Sequence, residues 1–257
     1  MDANLVEIFS SIQGEGLHLG ASTLFVRFGG CDLRCAWCDS PNTWRPASRC
    51  SVECEPGTGR FESIANPVSL AQIERRLAGL GLEEHRFVSL TGGEPLLQPD
   101  AVGALVGSLR GARPRVLLET HGLAVDAMAG VAEQVDVVSM DWKLTSDVRR
   151  AADPRSGPVE RFHEEHERFL HAAGGAGELI VKVVVSANTR EQELDEVTAR
   201  IAAFDPATPL ILQPLTPAGR VREKPTAAQL ISLLRRCENV LQEVRVIPQT
   251  HKSYGAH

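Results

Sequence analysis

The chain has 257 residues, 43% of them hydrophobic and 23% charged, a balance near the globular average that excludes a disordered, collagen-like or coiled-coil protein and leaves apolar material for a sizeable core. Lysine and arginine number 27 against 33 acids, a formal charge of −6; with no long block of one sign, a surface that wraps nucleic acid is not expected and a small-molecule substrate is. The opening residues Met1–Gly16 have neither the basic start nor the apolar core of a signal peptide, and no apolar run reaches the ~18 residues of a membrane span, so one cytoplasmic domain over residues 1–257 without membrane contact is expected.

In chain order, Thr23–Phe28, Phe87–Leu90, Val116–Leu118, Val135–Met140, Leu179–Val185, Leu210–Leu212 and Val244–Ile247 are short runs rich in Val, Ile and Leu, the pattern of buried parallel strands. Helical spacing separates several of them. Leu70, Ile73, Leu77 and Leu80 follow a capping box of Ser69 and Gln72 and stop at Gly81. Leu194, Val197, Ile201 and Phe204 make a second stripe, and Leu230, Leu233 and Leu234 a third behind a capping box of Thr226 and Gln229. The alternation predicts an α/β fold with a parallel sheet under helices.

Two segments break the rhythm. Residues 42–67 are aperiodic, rich in Pro, Gly and Ser, and hold Cys50 and Cys54; an inserted loop is expected there. Residues 145–177 form a charged excursion whose His163, His166 and His171 lie on a Glu-rich helix, a spacing that predicts a solvated face rather than a metal site.

Polar residues follow most strands: Gly29-Gly30-Cys31, Thr91-Gly92-Gly93-Glu94-Pro95, Glu119-Thr120-His121-Gly122, Asp141-Trp142-Lys143, Gln213-Pro214 and Gln249-Thr250-His251-Lys252. In parallel α/β folds chemistry gathers at the C-terminal strand ends, so these clusters are expected at one mouth. Five of the six cysteines lie between Cys31 and Cys54. Cys31, Cys35 and Cys38 have the spacing Cys-x3-Cys-x2-Cys, which suits three irons of a [4Fe–4S] cube with the fourth left open. A structural zinc, stabilising a binding module without catalysis, would draw its fourth ligand from Cys50, Cys54 or a histidine.

With Trp37 before the third cysteine, this motif and the Thr91–Pro95 run resemble the radical S-adenosylmethionine (SAM) superfamily. Phe9–Gly16, Arg27–Cys31, Cys38-Asp39-Ser40 and Gln249–Lys252 further resemble the 7-carboxy-7-deazaguanine synthases of queuosine and related 7-deazapurine biosynthesis. That resemblance implies an incomplete (β/α)6-type barrel, a homodimer, an electron donor such as flavodoxin, and conversion of 6-carboxy-5,6,7,8-tetrahydropterin to 7-carboxy-7-deazaguanine with loss of ammonia. A glycyl-radical activase would share the cysteines and the Gly-Gly-Glu element but need a protein partner; Ile12–Glu15 and Gln249–Lys252 favour the synthase.

The resemblance also implies roles. Cys31, Cys35 and Cys38 hold the cluster, and SAM chelates its open iron with its amino group against the Gly93-Glu94 element. By their convergence at the strand ends, Ser139, Asp141 and Lys143 are expected to hold ribose hydroxyls or carboxylate and Gln213 and Pro214 to lie near the adenosine, the competing reading being ordinary strand-end polarity. Ile12, Gln13 and Gly14 meet the ring edge of the pterin-like substrate, with Thr91 and His251 as further contacts. Arg27 forks its carboxylate, unless it is a barrel-lining ion pair. Glu15 and Glu119 are the catalytic candidates, fixing ring or ribose hydrogen bonds. Ser40 holds Mg²⁺, the competing role being a cap before Pro41. Cys50 and Cys54 are then expected to be free, or a pair prone to oxidation, in a loop over the active site.

Overall fold

The Val, Ile and Leu runs pair into a ten-stranded sheet in the computed structural model, which describes residues 1–154, 161–218, 221 and 223–253, the side chain of Lys252 excepted. Its strands are β1 (Leu5–Ile12), β2 (Ser22–Phe28), β3 (Arg49–Glu53), β4 (Phe61–Ala65), β5 (Phe87–Gly92), β6 (Arg115–Thr120), β7 (Val137–Asp141), β8 (Leu179–Val185), β9 (Leu210–Pro214) and β10 (Val244–Val246). The spatial order is β10-β9-β8-β7-β6-β5-β2-β1-β3-β4. From β2 to β10 every neighbour is parallel; β1 runs antiparallel to β2.

Helices α1 (Leu70–Gly79), α2 (Pro99–Ser108), α3 (Val125–Val131), α4 (His163–Ala173), α5 (Glu191–Phe204) and α6 (Ala227–Glu238) connect the seven parallel strands, giving six strand-helix units in chain order. Both expected capping boxes form, at Ser69 with Gln72 and at Thr226 with Gln229. Gly81 takes φ 76° after α1, a left-handed stop that glycine adopts without a Cβ penalty.

Alternation along each strand divides the two faces. Outward residues such as Val88, Leu90, Leu118, Val138, Met140, Val181 and Leu212 pack in one core with Leu77, Val102, Phe169 and Val197 of the helices. Each such side chain contributes roughly 1.5–3 kcal/mol on burial. Inward, Phe87, Leu117, Val137, Ile180 and Ile211 form a second apolar cluster. Two residues further along the same strands stand Ser89, Glu119, Ser139, Lys182 and Gln213, so an apolar plug carries a polar floor.

The sheet curls. Glu15, just past β1, ion-pairs with Lys182 in β8, although those strands are five neighbour steps apart, roughly 24 Å along a flat sheet at ~4.8 Å per strand. The Thr250 N–H donates to the Gly14 carbonyl at 3.0 Å, tying the residues after β10 to the loop after β1. The sheet keeps free edges at β10 and β4, an incomplete barrel.

Two expectations need correction. Residues 42–67 are largely ordered into the hairpin β3–β4, added to the sheet edge beside β1 through Glu7 opposite Ser51 and Ile8 opposite Val52. Cys50 is fully buried in the helix-side core and Cys54 is exposed beyond β3, so neither covers the mouth. Five-residue strands of mixed polarity carry too weak a period to be read alone; β1 supplies their partner. The charged excursion holds α4 and the strand Val148–Arg150, which pairs antiparallel with Leu33–Cys35 behind the first cysteines; its residues 155–160 lie outside the described residues. No helix among the described residues is long and apolar enough to cross a membrane.

Since Cys50 is a core side chain, Cys50→Ser is expected to lower unfolding stability by roughly 1–3 kcal/mol through a buried hydroxyl, with Cys54→Ser near neutral. Urea unfolding checks both, and iron content after anaerobic reconstitution should equal the parent's in each.

Candidate active site

The cysteine loop leaves β2 through Gly29 and Gly30, the latter at φ 98°. It is interlocked with the Gly-Gly-Glu run at the end of β5: Gly93 N–H donates to the Phe28 carbonyl at 3.0 Å and Glu94 N–H to the Gly30 carbonyl at 2.8 Å. A Cβ on Gly93 would stand 2.1 Å from the Gly30 oxygen, so only glycine permits this approach. Cys31, Cys35 and Cys38 line one cavity. Burial pushes the Cys31 thiol up to about 11 and Cys35 up to about 12, the condition of soft ligands placed where a metal's charge would be needed to ionise them. Among the described residues no three His, Cys, Asp or Glu side chains converge on one ion position; three thiols along one cavity wall suit a multi-iron cluster, whose ligands are spread over it.

Glu94 departs from its expected place against SAM. It is fully buried below the cavity wall, with Oε1 accepting from Leu96 N–H at 3.0 Å and Thr120 Oγ1 at 2.8 Å, and Oε2 from His121 N–H at 2.8 Å. It is a strut between the ends of β5 and β6. His121 extends the strut, its Nε2 lying 2.8 Å from Asp32 beside Cys31. Burial lowers the His121 pKa, but Glu94 and Asp32 outweigh it and leave the ring above its ordinary value. With the Gly93 N–H engaged, the carbonyl is the Gly93 group able to accept from an amino ligand.

A chain of alternating charge crosses the mouth. Lys143 Nζ donates to Asp141 Oδ2 at 2.7 Å, Asp141 Oδ1 lies 3.2 Å from Lys182 Nζ, Lys182 bonds Glu15, and Gln249 Nε2 donates to Glu15 Oε1 at 2.6 Å. Burial alone would raise both carboxyls and lower both amines. Lys143 and Lys182 hold Asp141 below its usual range, Lys182 does the same for Glu15, and Asp141 raises both lysines. All four stay charged at neutral pH. Lys143 also stands 4.9 Å over the Trp37 ring.

Lys143 is held from behind by α4. Its N–H donates to His166 Nε2 at 3.2 Å, His166 Nδ1 donates to the Phe162 carbonyl at 2.9 Å, and Trp142 Nε1 donates to His163 Nδ1 at 3.0 Å. The expectation of a solvated histidine face therefore fails for His163 and His166, both buried, and holds for His171, which is exposed. The apolar stripe Phe162, Phe169, Leu170 and Ala173, on which His166 falls at helical spacing, was the signal for it.

Glu119 gathers the substrate side of the floor, accepting from Gln13 Nε2 at 3.1 Å, Ser89 Oγ at 2.6 Å and Thr91 Oγ1 at 3.4 Å. Gly14 lies so close to His251 that a Cβ would fall 2.2 Å from its Nδ1. Arg27 bonds Glu7 through Nε at 2.5 Å and stands 5.7 Å over Phe9. Ser40 precedes the short 3-10 turn Pro41–Trp44 but its side chain makes no cap bond; its hydroxyl donates to Asp39 at 3.2 Å.

The cavity, about 220 Å³, is lined by Cys31, Cys35, Cys38, Ser40, Ile12, Gln13, Gly14, Glu15, Arg27, Thr91, Gly93, Glu119, Asp141, Lys143, Gln213 and His251. Three expected residues are absent from its wall: Glu94, the strut; Ser139, one inward position below Asp141 and facing a small space under Gln13 and Glu15; and Pro214, since its neighbour Gln213 takes the inward position. Lys182, Val184, Leu215, Asp39 and Trp44 line it unforeseen. A single lysine inside the apolar run Leu179–Val185 was the available sign of Lys182.

The profile of the Radical SAM superfamily matches residues 25–185. A 7-carboxy-7-deazaguanine synthase of Geobacter sulfurreducens is 38% identical over 259 residues, covering 98% of this chain and 97% of that protein. One of Thermococcus kodakarensis is 33% identical, with 96% of each chain covered. The crystal structure of QueE from Escherichia coli shares the fold at TM-score 0.60 and 21% identity, covering 98% of this chain and 95% of that one.

Burial pushes His166 down to about 3 from an ordinary 6.5. The unfolded chain thus takes up a proton that the folded ring refuses, so this contribution leaves stability unchanged above about pH 6.5 and lowers it from there toward pH 3, by up to about 1.4 kcal/mol per pH unit. His163, also lowered by burial, adds to the loss. His166→Gln is expected to make the acid slope of the urea midpoint shallower by up to one proton.

Proposed function

The chain belongs to the radical SAM superfamily and, within it, to the 7-carboxy-7-deazaguanine synthases, and we propose that its mouth converts 6-carboxy-5,6,7,8-tetrahydropterin to 7-carboxy-7-deazaguanine with loss of ammonia, in 7-deazapurine biosynthesis, as a single domain over residues 1–257. Membership implies a [4Fe–4S] cluster and SAM, which when bound supply one-electron cleavage of SAM to a 5′-deoxyadenosyl radical. The observation that carries the reading is the convergence of the three cysteines, Gly93 and a polar floor of Gln13, Glu119 and Lys182 on one cavity.

Cys31, Cys35 and Cys38 hold the cluster. The Gly93 carbonyl accepts from the SAM amino group, and Asp141 and Lys143 serve its ribose hydroxyls and carboxylate by charge-assisted hydrogen bonds, with Gln213 near the adenosine. Thr91, Gln13, Gly14, Ile12 and His251 meet the pterin edge. Arg27, with Nε already given to Glu7, keeps two terminal nitrogens for the substrate carboxylate. Glu119 accepts ring N–H groups, while Glu15, its carboxylate fixed by Lys182 and Gln249, gives its backbone N–H to Gln13 Oε1 and so orients Gln13 at the ring. A charged floor fixed before substrate arrives needs no reorganisation during the reaction. Ser40, beside Asp39, offers Mg²⁺ a hard oxygen. The family resemblance further supports a homodimer in the cytoplasm and a one-electron donor such as flavodoxin.

Anaerobic incubation with SAM, dithionite and the carboxytetrahydropterin should yield a product of the mass of 7-carboxy-7-deazaguanine; none with a fully loaded enzyme overturns the reading. Cys31→Ala, Cys35→Ala and Cys38→Ala should each lose the reconstituted iron. Arg27→Lys is expected to weaken substrate binding roughly 10- to 100-fold, the loss of one charged hydrogen bond, while SAM binding by calorimetry stays within about twofold.

A further inference from the structure

Lys182 touches groups that serve both ligands. Its buried ammonium pairs with Asp141, on the SAM side of the mouth, and with Glu15, which orients Gln13 on the substrate side. The two contacts arise differently. Asp141 and Lys182 are register partners on β7 and β8, so the sheet itself fixes that pair. Glu15 belongs to the loop after β1, and the place of its carboxylate depends on Lys182 and Gln249.

The Asp141 end is unfinished. Its Oδ2 accepts from Lys143, but Oδ1, buried 3.2 Å from Lys182 Nζ, has no partner of hydrogen-bond geometry among the described residues. A buried acceptor left in that state calls for a donor, and a ribose hydroxyl of SAM is one. The substrate end is complete: Lys182 holds the Glu15 carboxylate, the Glu15 N–H donates to Gln13 Oε1 at 3.1 Å, and Gln13 Nε2 donates to Glu119 at 3.1 Å. An unbroken line of contacts thus runs from the ribose acceptor to the groups that receive the pterin edge. Asp141 and Glu15 also compete for one ammonium. A hydroxyl donated to Asp141 Oδ1 meets part of that carboxylate's demand, and the attraction of Lys182 then falls more fully on Glu15, an effect that water-excluded surroundings strengthen.

We propose that Lys182 is a positioning residue that couples the two halves of the mouth: SAM bound at Asp141 fixes the loop after β1 and so tightens substrate binding, and by reciprocity the substrate tightens SAM binding. The inference rests on the ligand placement given under the proposed function.

The test uses the reconstituted full chain with its cluster left oxidised, so that both ligands bind without turnover. Calorimetry gives the SAM Kd with and without saturating carboxytetrahydropterin. In the parent the substrate should lower that Kd about fivefold or more, and in Lys182→Met the ratio should fall to within about twofold of one. A residue that only supported the fold would weaken both ligands and leave the ratio alone. A parental ratio in Lys182→Met therefore overturns the proposal, as does a ratio near one in the parent. A second readout needs no substrate: SAM alone should slow amide hydrogen exchange at residues 13–16 in the parent and not in Lys182→Met, and the same response in both proteins overturns the proposal. Should Lys182→Met fail to load iron, Glu15→Gln, which keeps a hydrogen-bonding side chain without the charge, carries both comparisons. Failure of carboxytetrahydropterin to bind the parent counts against the reaction, and the exchange comparison still decides the coupling.

Discussion

A lysine ammonium inside an apolar strand needs carboxylates within reach, and Lys182 places that demand at the centre of the molecule. Asp141 comes from the neighbouring strand, but Glu15 comes from the loop after β1, on the far side of the sheet. Satisfying both requires the sheet to curl and the loop to fold across it. In the resulting chain from Lys143 to Glu15 the lysines are buried and the carboxylates half-buried, and removing a carboxylate leaves a buried ammonium uncompensated. The same charges that specify the curl are those that would face SAM and substrate, so the fold is tied to the site by one set of ion pairs.

A second constraint joins the two halves of the cofactor site. Gly93 reaches within backbone distance of Gly30, and Glu94 and His121 brace the strand ends to Asp32 next to Cys31. A cysteine loop as short as Cys31–Cys38 has little core of its own; Leu33 and Val148 with Leu123 and Phe162 make a small apolar cluster beneath it. Its geometry therefore depends on neighbours outside the motif. Helix α4 does the equivalent for Lys143, whose backbone it holds through a histidine kept neutral by burial.

Much of this was legible in the residues. Both capping boxes, the αL stop at Gly81 and seven parallel strands follow from patterns that span a few residues, where side chain and backbone answer to the same local geometry. What was missed has a common cause. The hairpin β3–β4 has short strands of mixed polarity whose register comes from β1. His163 and His166 sit among glutamates in sequence, which masks the apolar stripe they share, and only the tertiary structure supplies their partners, Trp142 and Lys143.

By itself the sequence determined that the chain alternates strand and helix, that polar residues close most strands, that three thiols share one loop, and that a Gly-Gly-Glu run ends another strand. Those features repeat with the period of a strand or helix, or lie within one turn, and need no distant partner. Only the tertiary structure decided that Gly93 borders the cavity while Glu94 lies beneath it, and that Lys182 belongs to the mouth. The Lys182–Glu15 pair is separated by 167 positions, and such a partnership exists only once the sheet has curled far enough to close the distance.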